Sequence, residues 1–206
     1  MTGPIIHRDI SQGTDEWHAI RAGKWSASKA ATIMGGLETK GLADLVKDVA
    51  WERVYGPISG GFKSAAMERG NELEPEARDW YAFDKCVAVE QVGFVEHCSI
   101  PNVGWSPDGL VDQAGGIEAK SPLHRAWMEV NRTRKIPAEY RWQSRWAMWV
   151  GELEWLDFVV YHPAAGGIVI PATVTESEKQ QMAERICLLE SRVSEEVSLL
   201  SERQAA

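Results

Sequence analysis

Asp108, Glu118 and Lys120 are the residues whose types and spacing point to chemistry. Asp108 stands in Ser106-Pro107-Asp108-Gly109-Leu110, and the other two in Gly116-Ile117-Glu118-Ala119-Lys120-Ser121-Pro122. Carboxylates are hard oxygen ligands of the kind Mg²⁺ takes. Lys120 follows Glu118 at an i, i+2 spacing, so on a strand both side chains leave the same face. Two carboxylates, a cation and an ammonium on one surface can activate a water beside a phosphodiester. The Glu-x-Lys triplet alone says little. It arises by chance about once in a chain of this length and also fits a solvated strand with an ion pair.

This chemistry requires elements that bring positions 108 and 118 together. Pro107-Asp108-Gly109 is turn chemistry, and Gly115-Gly116 is a second turn. Gly109 to Gly116 therefore reads as a hairpin connection that sets Asp108 beside Glu118. Upstream, the pattern predicts a short helix over Ser26–Met34, ended by Gly35-Gly36, and a second over Leu42–Tyr55. Gly56 to Phe62 reads as a loop. Ala65–Phe83 reads as a longer helix that Pro75 kinks or divides, and Val87–Val95 as β-rich. Downstream come a helix over Pro137–Val150, strands over Leu156–Tyr161 and Gly167–Val174, and a long amphipathic helix over Glu176–Leu200. Met182, Ile186, Leu189, Val193 and Val197 line one side of that last helix. The order predicts one α/β domain over residues 1–206, with a central mixed sheet flanked by helices.

Composition agrees with a soluble globular domain, at 44% hydrophobic and 25% charged. No apolar run approaches the roughly 20 residues needed to cross a bilayer, and there is no signal-peptide pattern, so the expected location is cytoplasmic. Cys86, Cys98 and Cys187 lack CxxC spacing and read as free thiols rather than a zinc site. The histidines show no H-E-x-x-H spacing. A net charge of −8 argues against a simple DNA-coating protein. Basic residues nevertheless concentrate at Arg125, Arg132, Arg134, Lys135, Arg141 and Arg145, against only Glu129 and Glu139. The acidic excess falls toward the C-terminus. Such a run is either a solvated face or a phosphate-contacting one, and the segregation favours phosphate.

Five ordered blocks resemble the phage lambda-type alkaline exonucleases, the viral recombinase nucleases of the PD-(D/E)xK superfamily. They are Asp15-Glu16-Trp17-His18-Ala19-Ile20-Arg21-Ala22-Gly23 with Ser26-Ala27-Ser28, Arg69 to Arg78, Ser106 to Leu110, Glu118 to Pro122, and Tyr140-Arg141-Trp142-Gln143 with Met148-Trp149-Val150. The resemblance implies a restriction-endonuclease-like fold and two Mg²⁺ ions, for which Mn²⁺ is an expected substitute. It implies that Asp108 bridges the ions, that Glu118 and the Ala119 carbonyl bind one, and that Glu74 helps bind the other. Lys120 would position or deprotonate the attacking water, and Gln143 would join the active site. The family often has a second Gln where this chain has Arg145. Arg21, Ser28 and Ser106 match residues that hold a 5′-terminal phosphate.

The activity implied is 5′-to-3′ digestion of one strand of duplex DNA ends to mononucleotides, leaving 3′ overhangs. Family members form ring-shaped homotrimers and work with a single-strand annealing protein in recombination, in a bacterial host and from a phage or prophage gene.

Plainer assignments stand beside these. Glu74 has Glu72 and Glu76 as local rivals and could be a surface helix residue. Gln143 could face solvent, Arg21 could pack on a neighbouring helix, and Ser28 could be a helix-start residue. The wider alternatives are a PD-(D/E)xK endonuclease, a non-catalytic DNA-end binding module and an acidic α/β scaffold. Of the ten tryptophans, Trp80, Trp146 and Trp149 read as core, while Trp25 and Trp105 are candidates for base stacking.

Overall fold

The computed structural model describes residues 3–58 and 65–204, so residues 59–62 of the expected Gly56 to Phe62 loop lie outside the described residues. Where one central sheet was expected, the hydrogen bonding forms two four-stranded sheets, each of mixed direction. In the first, β1 (Ile5–His7), β3 (Phe94–Glu96), β4 (Val103–Trp105) and β2 (Trp25–Ser26) lie in that order. In the second, β5 (Gly109–Val111), β6 (Gly115–Lys120), β7 (Trp155–His162) and β8 (Gly166–Ala172) follow one another.

The hairpin that pairs the acidic residues forms, though by different turn chemistry. Gly109 pairs with Ile117 and Val111 with Gly115, so the glycines expected in the turns lie within the strands. The connection is Asp112 to Ala114, with Asp112 in the left-handed region at φ 54°. Asp tolerates that conformation because its short polar side chain can bond locally. Continuing the register one step beyond Gly109 sets Asp108 opposite Glu118.

Helices cover both faces of the second sheet. On one face Ile117, Ala119, Val159 and Tyr161 pack against Ala77 and Tyr81 of α4 (Ala65–Lys85). On the other, Phe158, Val160, Ile168 and Ile170 pack against Val130 of α5 (His124–Thr133) and Tyr140 of α6 (Ala138–Val150). Each fully buried side chain of this size contributes about 1.5–3 kcal/mol. Strand alternation then sends Glu118 and Lys120 to the face that α6 covers. The helix α4 runs unbroken through Pro75, because the turn after it is anchored by buried Ala77, Arg78 and Tyr81.

Three further expectations are corrected. The segment Ser26–Met34 is not one helix. The amide of Trp25 donates to Asn102 O at 2.8 Å and draws Trp25–Ser26 into parallel pairing with β4. Only a 3₁₀ turn (Ala27–Lys29) and the short α2 (Ala30–Ile33) follow. In Val87–Val95 the ladder starts at Phe94, and upstream Glu90 alone bridges to Leu110. The basic run contains the helix α5, which has no side-chain cap and ends on Arg134 at φ 51°, so it lacks the usual sequence signals.

The remaining long helices match expectation closely, whereas the first helix of the chain was not expected. Thr14 caps α1 (Asp15–Arg21) and Thr39 caps α3 (Lys40–Tyr55) through side-chain bonds to Trp17 N and Leu42 N. The last helix, α7 (Glu176–Gln204), packs along α3. Glu190 on α7 accepts two bonds of 2.7 Å from Arg53 on α3 and one of 2.7 Å from Trp25 Nε1. Burial pushes the Glu190 carboxyl up, but these donors outweigh it and hold it below the usual carboxylate range. A depressed folded-state pKa contributes stability that is present above the unfolded value of about 4.3 and lost as pH falls through the folded one. Glu190→Ala should therefore cost about 1–3 kcal/mol at neutral pH by stranding both donors. The Tm gap to wild type should narrow as pH falls below the ordinary carboxylate range and wild-type Glu190 protonates. A gap that stays constant into acid contradicts this assignment.

Candidate active site

Asp108 is half-buried just before β5, and its Oδ2 accepts the Ala119 amide at 2.7 Å. Its backbone carbonyl accepts Arg78 Nη1 at 2.6 Å. Glu118 is 1% exposed, and its Oε1 receives both Lys120 Nζ at 2.5 Å and Gln143 Nε2 at 2.5 Å. Glu74, on α4, accepts Arg78 Nη1 at 3.1 Å. Arg78 thus holds Glu74 and the Asp108 turn with one guanidinium. Its rivals are elsewhere: Glu72 is exposed, and Glu76 receives the Tyr161 hydroxyl.

The charge of Asp108 reaches both of the other carboxylates. Burial first, and then the charge of Asp108, push Glu118 up to about 7 against the pull of Lys120. The same two causes raise Glu74, against Arg78 and Lys120. Burial works against the charge on Lys120, but Glu118 and Asp108 outweigh it and hold the ammonium charged. Lys120 also sits 5.6 Å from the centre of the Tyr140 ring.

Among the described residues, no three carboxylate, imidazole or thiolate groups converge tightly enough to enclose a cation by themselves. The donor set nonetheless fits a hard divalent ion. Asp108, Glu118, Glu74 and the Ala119 carbonyl are all oxygen donors, and the upward push that Asp108 gives Glu118 and Glu74 is an excess of negative charge that a cation relieves. Glu118 Oε2 has no hydrogen-bond partner although it is buried. An unsatisfied buried acceptor costs about 1–3 kcal/mol, so it marks a place where a partner belongs.

Beside this cluster, Arg21 at the end of α1 donates to Ser106 Oγ at 2.5 Å and stacks 4.1 Å over the Trp17 ring. Trp17 Nε1 donates to the same hydroxyl at 3.0 Å. Burial lowers Arg21 to about 10, with Glu52 opposing, and leaves it cationic at neutral pH. Ser28 is exposed, and its hydroxyl lies 3.1 Å from that of Ser26. The parallel register Trp25↔Val103 and Ser26↔Gly104 carries Ser28 and Ser106 forward from neighbouring strand ends, but Ser28 bonds to neither Arg21 nor Ser106.

The basic run is partly neutralised. Arg132 pairs with Glu129, Arg134 donates to Asn131, and Arg145 pairs with Glu178 at 3.0 Å while lying over Trp142. Arg145 is therefore an internal tie between α6 and α7. Lys135 and Arg141, with Arg145 and Ser144, line a cavity of about 380 Å³ between α6 and β8. Arg125 is exposed on the first turn of α5.

Trp25 and Trp105 are each 1% exposed and face the interior, so neither presents a ring for base stacking. Sequence reasoning assigned no role to Arg78, Trp17 or Tyr140. Arg78 falls four residues after Glu74 and Trp17 four before Arg21, so helical spacing was the available signal for both.

A mixed sheet between helices, with Asp, Glu, Lys and Gln meeting at its edge hairpin, defines a nuclease of the restriction-endonuclease-like fold. The model of the YqaJ-like viral recombinase domain matches residues 16–154, and the chain belongs to that family. That span contains every candidate residue named above. Among solved structures, the alkaline exonuclease LHK-Exo from Laribacter hongkongensis is similar with a TM-score of 0.84 and 29% identity, covering 93% of this chain and 98% of its own. The same protein in complex with dAMP gives the same values. The phage related exonuclease from Haemophilus somnus 129PT shares the fold with a TM-score of 0.63 at 14% identity, covering 87% of this chain and 96% of its own. No curated protein sequence matches the chain. Among the described residues no helix is long and apolar enough to cross a membrane.

Proposed function

We propose that the chain is a Mg²⁺-dependent exonuclease that digests one strand of linear duplex DNA from its 5′ end to mononucleotides. The 3′ overhang left behind serves strand-annealing recombination. The observation that carries this reading is the adjacency of an anion pocket and a carboxylate cluster. Ser106, the partner of Arg21, and Asp108 are separated by Pro107 alone, about 7 Å of extended chain. A terminal phosphate gripped by Arg21 and Ser106 would therefore bring the next phosphodiester of its strand to Asp108 and Glu118. Cleavage then falls at the first linkage from the end, which is exonuclease behaviour. The dAMP complex of LHK-Exo supports a product of mononucleotide size.

Asp108, Glu118, the Ala119 carbonyl and Glu74 would hold two Mg²⁺ ions, or Mn²⁺ in their place, with Asp108 shared. Bound there, the ions would supply an activated water and charge stabilisation for the attacking and leaving oxygens. The chain's own residues do the rest. Lys120, which bonds Glu118 Oε1 with one of its three N–H donors, has the others to orient the water and offsets charge in the transition state. Gln143 helps keep the Glu118 carboxylate in place, and Arg78 keeps Glu74 and the Asp108 turn together. Lys135 and Arg141 are assigned to the DNA backbone, and Arg125 with them. We assign assembly as a homotrimeric ring and partnership with a single-strand annealing protein from membership of the viral recombinase family.

The experiment is end-selective digestion. Linear duplex with a 5′-phosphate should be degraded at least about tenfold faster than the same duplex with a 5′-hydroxyl, because a bidentate guanidinium contact of 1.5–3 kcal/mol is available only to the former. Arg21→Ala should slow digestion of the phosphorylated duplex and shrink the difference between the two ends. Equal rates on both ends, unchanged by Arg21→Ala, would remove the pocket.

A further inference from the structure

Among the described residues, two buried side-chain polar atoms have no hydrogen-bond partner: Trp105 Nε1 and Glu118 Oε2. Each is what the other lacks, since an indole N–H only donates and an ionised carboxylate only accepts. Both residues are 1% exposed, so no solvent serves them. Their placement brings them together. A Cβ built on Gly116 would stand 3.2 Å from the Cη2 of Trp105, so the six-membered edge of the indole lies over Gly116. Gly116 and Glu118 are alternate residues of β6 and share a face. The ring therefore lies along the face from which Glu118 projects. Glycine at 116 gives it room. Trp105 is also close enough to count among the groups that favour the ionised Glu118 against its burial.

We propose that Trp105 is a positioning residue whose indole N–H holds Glu118 Oε2 and fixes the plane of that carboxylate. The need for it follows from the other oxygen. Oε1 is held by Lys120 and Gln143, both on flexible side chains, and neither restrains Oε2. Trp105 supplies a restraint that does not move, on a rigid and fully packed ring. One N–H occupies one lone pair of Oε2 and leaves the other for a cation. This gives Trp105 a task that base stacking, from a buried ring, could not.

The proposal rests on the reading of Glu118 as a metal ligand, yet the contact can be tested apart from it. The indole N–H proton resonance of Trp105, assigned by its loss in Trp105→Phe, should shift in Glu118→Gln, and in wild type on adding Mg²⁺. In calorimetry without DNA, Trp105→Phe should weaken Mg²⁺ binding by about ten- to a hundred-fold. On linear duplex kcat should fall by a similar factor while KM stays within about threefold. Because Phe also changes the packing, a second variant carries benzothienylalanine at 105, which keeps the ring shape and replaces only the N–H. It should show the same losses. Wild-type Mg²⁺ affinity and kcat in the benzothienylalanine protein, or an indole resonance indifferent to Glu118→Gln, would overturn the proposal. A wild-type protein with no nuclease activity would sink the exonuclease reading and leave the resonance experiment to decide the contact.

Discussion

Asp108→Asn should reduce cleavage of linear duplex DNA by at least about a thousandfold while leaving the fold intact. Asp108 is the carboxylate assigned to both ions, and losing a metal's several kcal/mol of charge stabilisation, at 1.36 kcal/mol per tenfold, reaches that size. Asparagine is the informative replacement. Its amide oxygen can still accept the Ala119 amide that Asp108 Oδ2 accepts at 2.7 Å. Alanine would strand that donor at a cost of about 1–3 kcal/mol and mix a stability loss into the kinetic one. The measurement is single-turnover digestion together with a melting curve on the same preparation. Residual activity near wild type in well-folded Asp108→Asn protein contradicts the assignment of this carboxylate.

Lys120→Ala should lower the cleavage rate by about 10²–10⁴-fold and leave DNA-end binding within a few-fold. A second consequence follows from its ground-state contact. Lys120 occupies Glu118 Oε1, so an arriving cation competes with its ammonium. Removing it should leave Mg²⁺ affinity unchanged or tighter even as chemistry fails. Binding measured by calorimetry and rate measured under saturating Mg²⁺ separate the two effects. A variant that loses DNA affinity and keeps its maximal rate would make Lys120 a phosphate anchor.

Much of the site was legible because its parts are local. Turn residues around Asp108 and the i, i+2 spacing of Glu118 and Lys120 are short-range facts, and the hairpin joins them within a dozen residues. The family resemblance, which the YqaJ-like match bears out, reached further and named Glu74, Gln143 and Arg21 across sequence gaps that spacing cannot bridge. The long helices α3, α6 and α7 follow their apolar periodicity closely. What failed was decided by tertiary partners. Trp25–Ser26 has helical neighbours but is claimed by β4, and α5 forms without a capping residue because its apolar side packs on β7. Gly109, Gly115 and Gly116 read as turn glycines, yet they lie in strands where neighbouring side chains crowd the backbone. Charge pairing was equally hidden. Arg145 looked like a phosphate contact until Glu178, on a helix thirty-odd residues away, proved to hold it.

The most direct measurement of the central claim is digestion of one plasmid in two forms, closed circular and linearised with 5′-phosphate ends, with Mg²⁺ and with Ca²⁺ in its place. The account predicts progressive loss of one strand of the linear form and release of mononucleotides in Mg²⁺. It predicts no cleavage of the closed circle, and none of either form in Ca²⁺, which takes longer and looser coordination. Efficient cutting of the closed circle would contradict end recognition by Arg21 and Ser106 and make the protein an endonuclease. Undiminished digestion of the linear form in a metal chelator would contradict the role given to Asp108, Glu118 and Glu74.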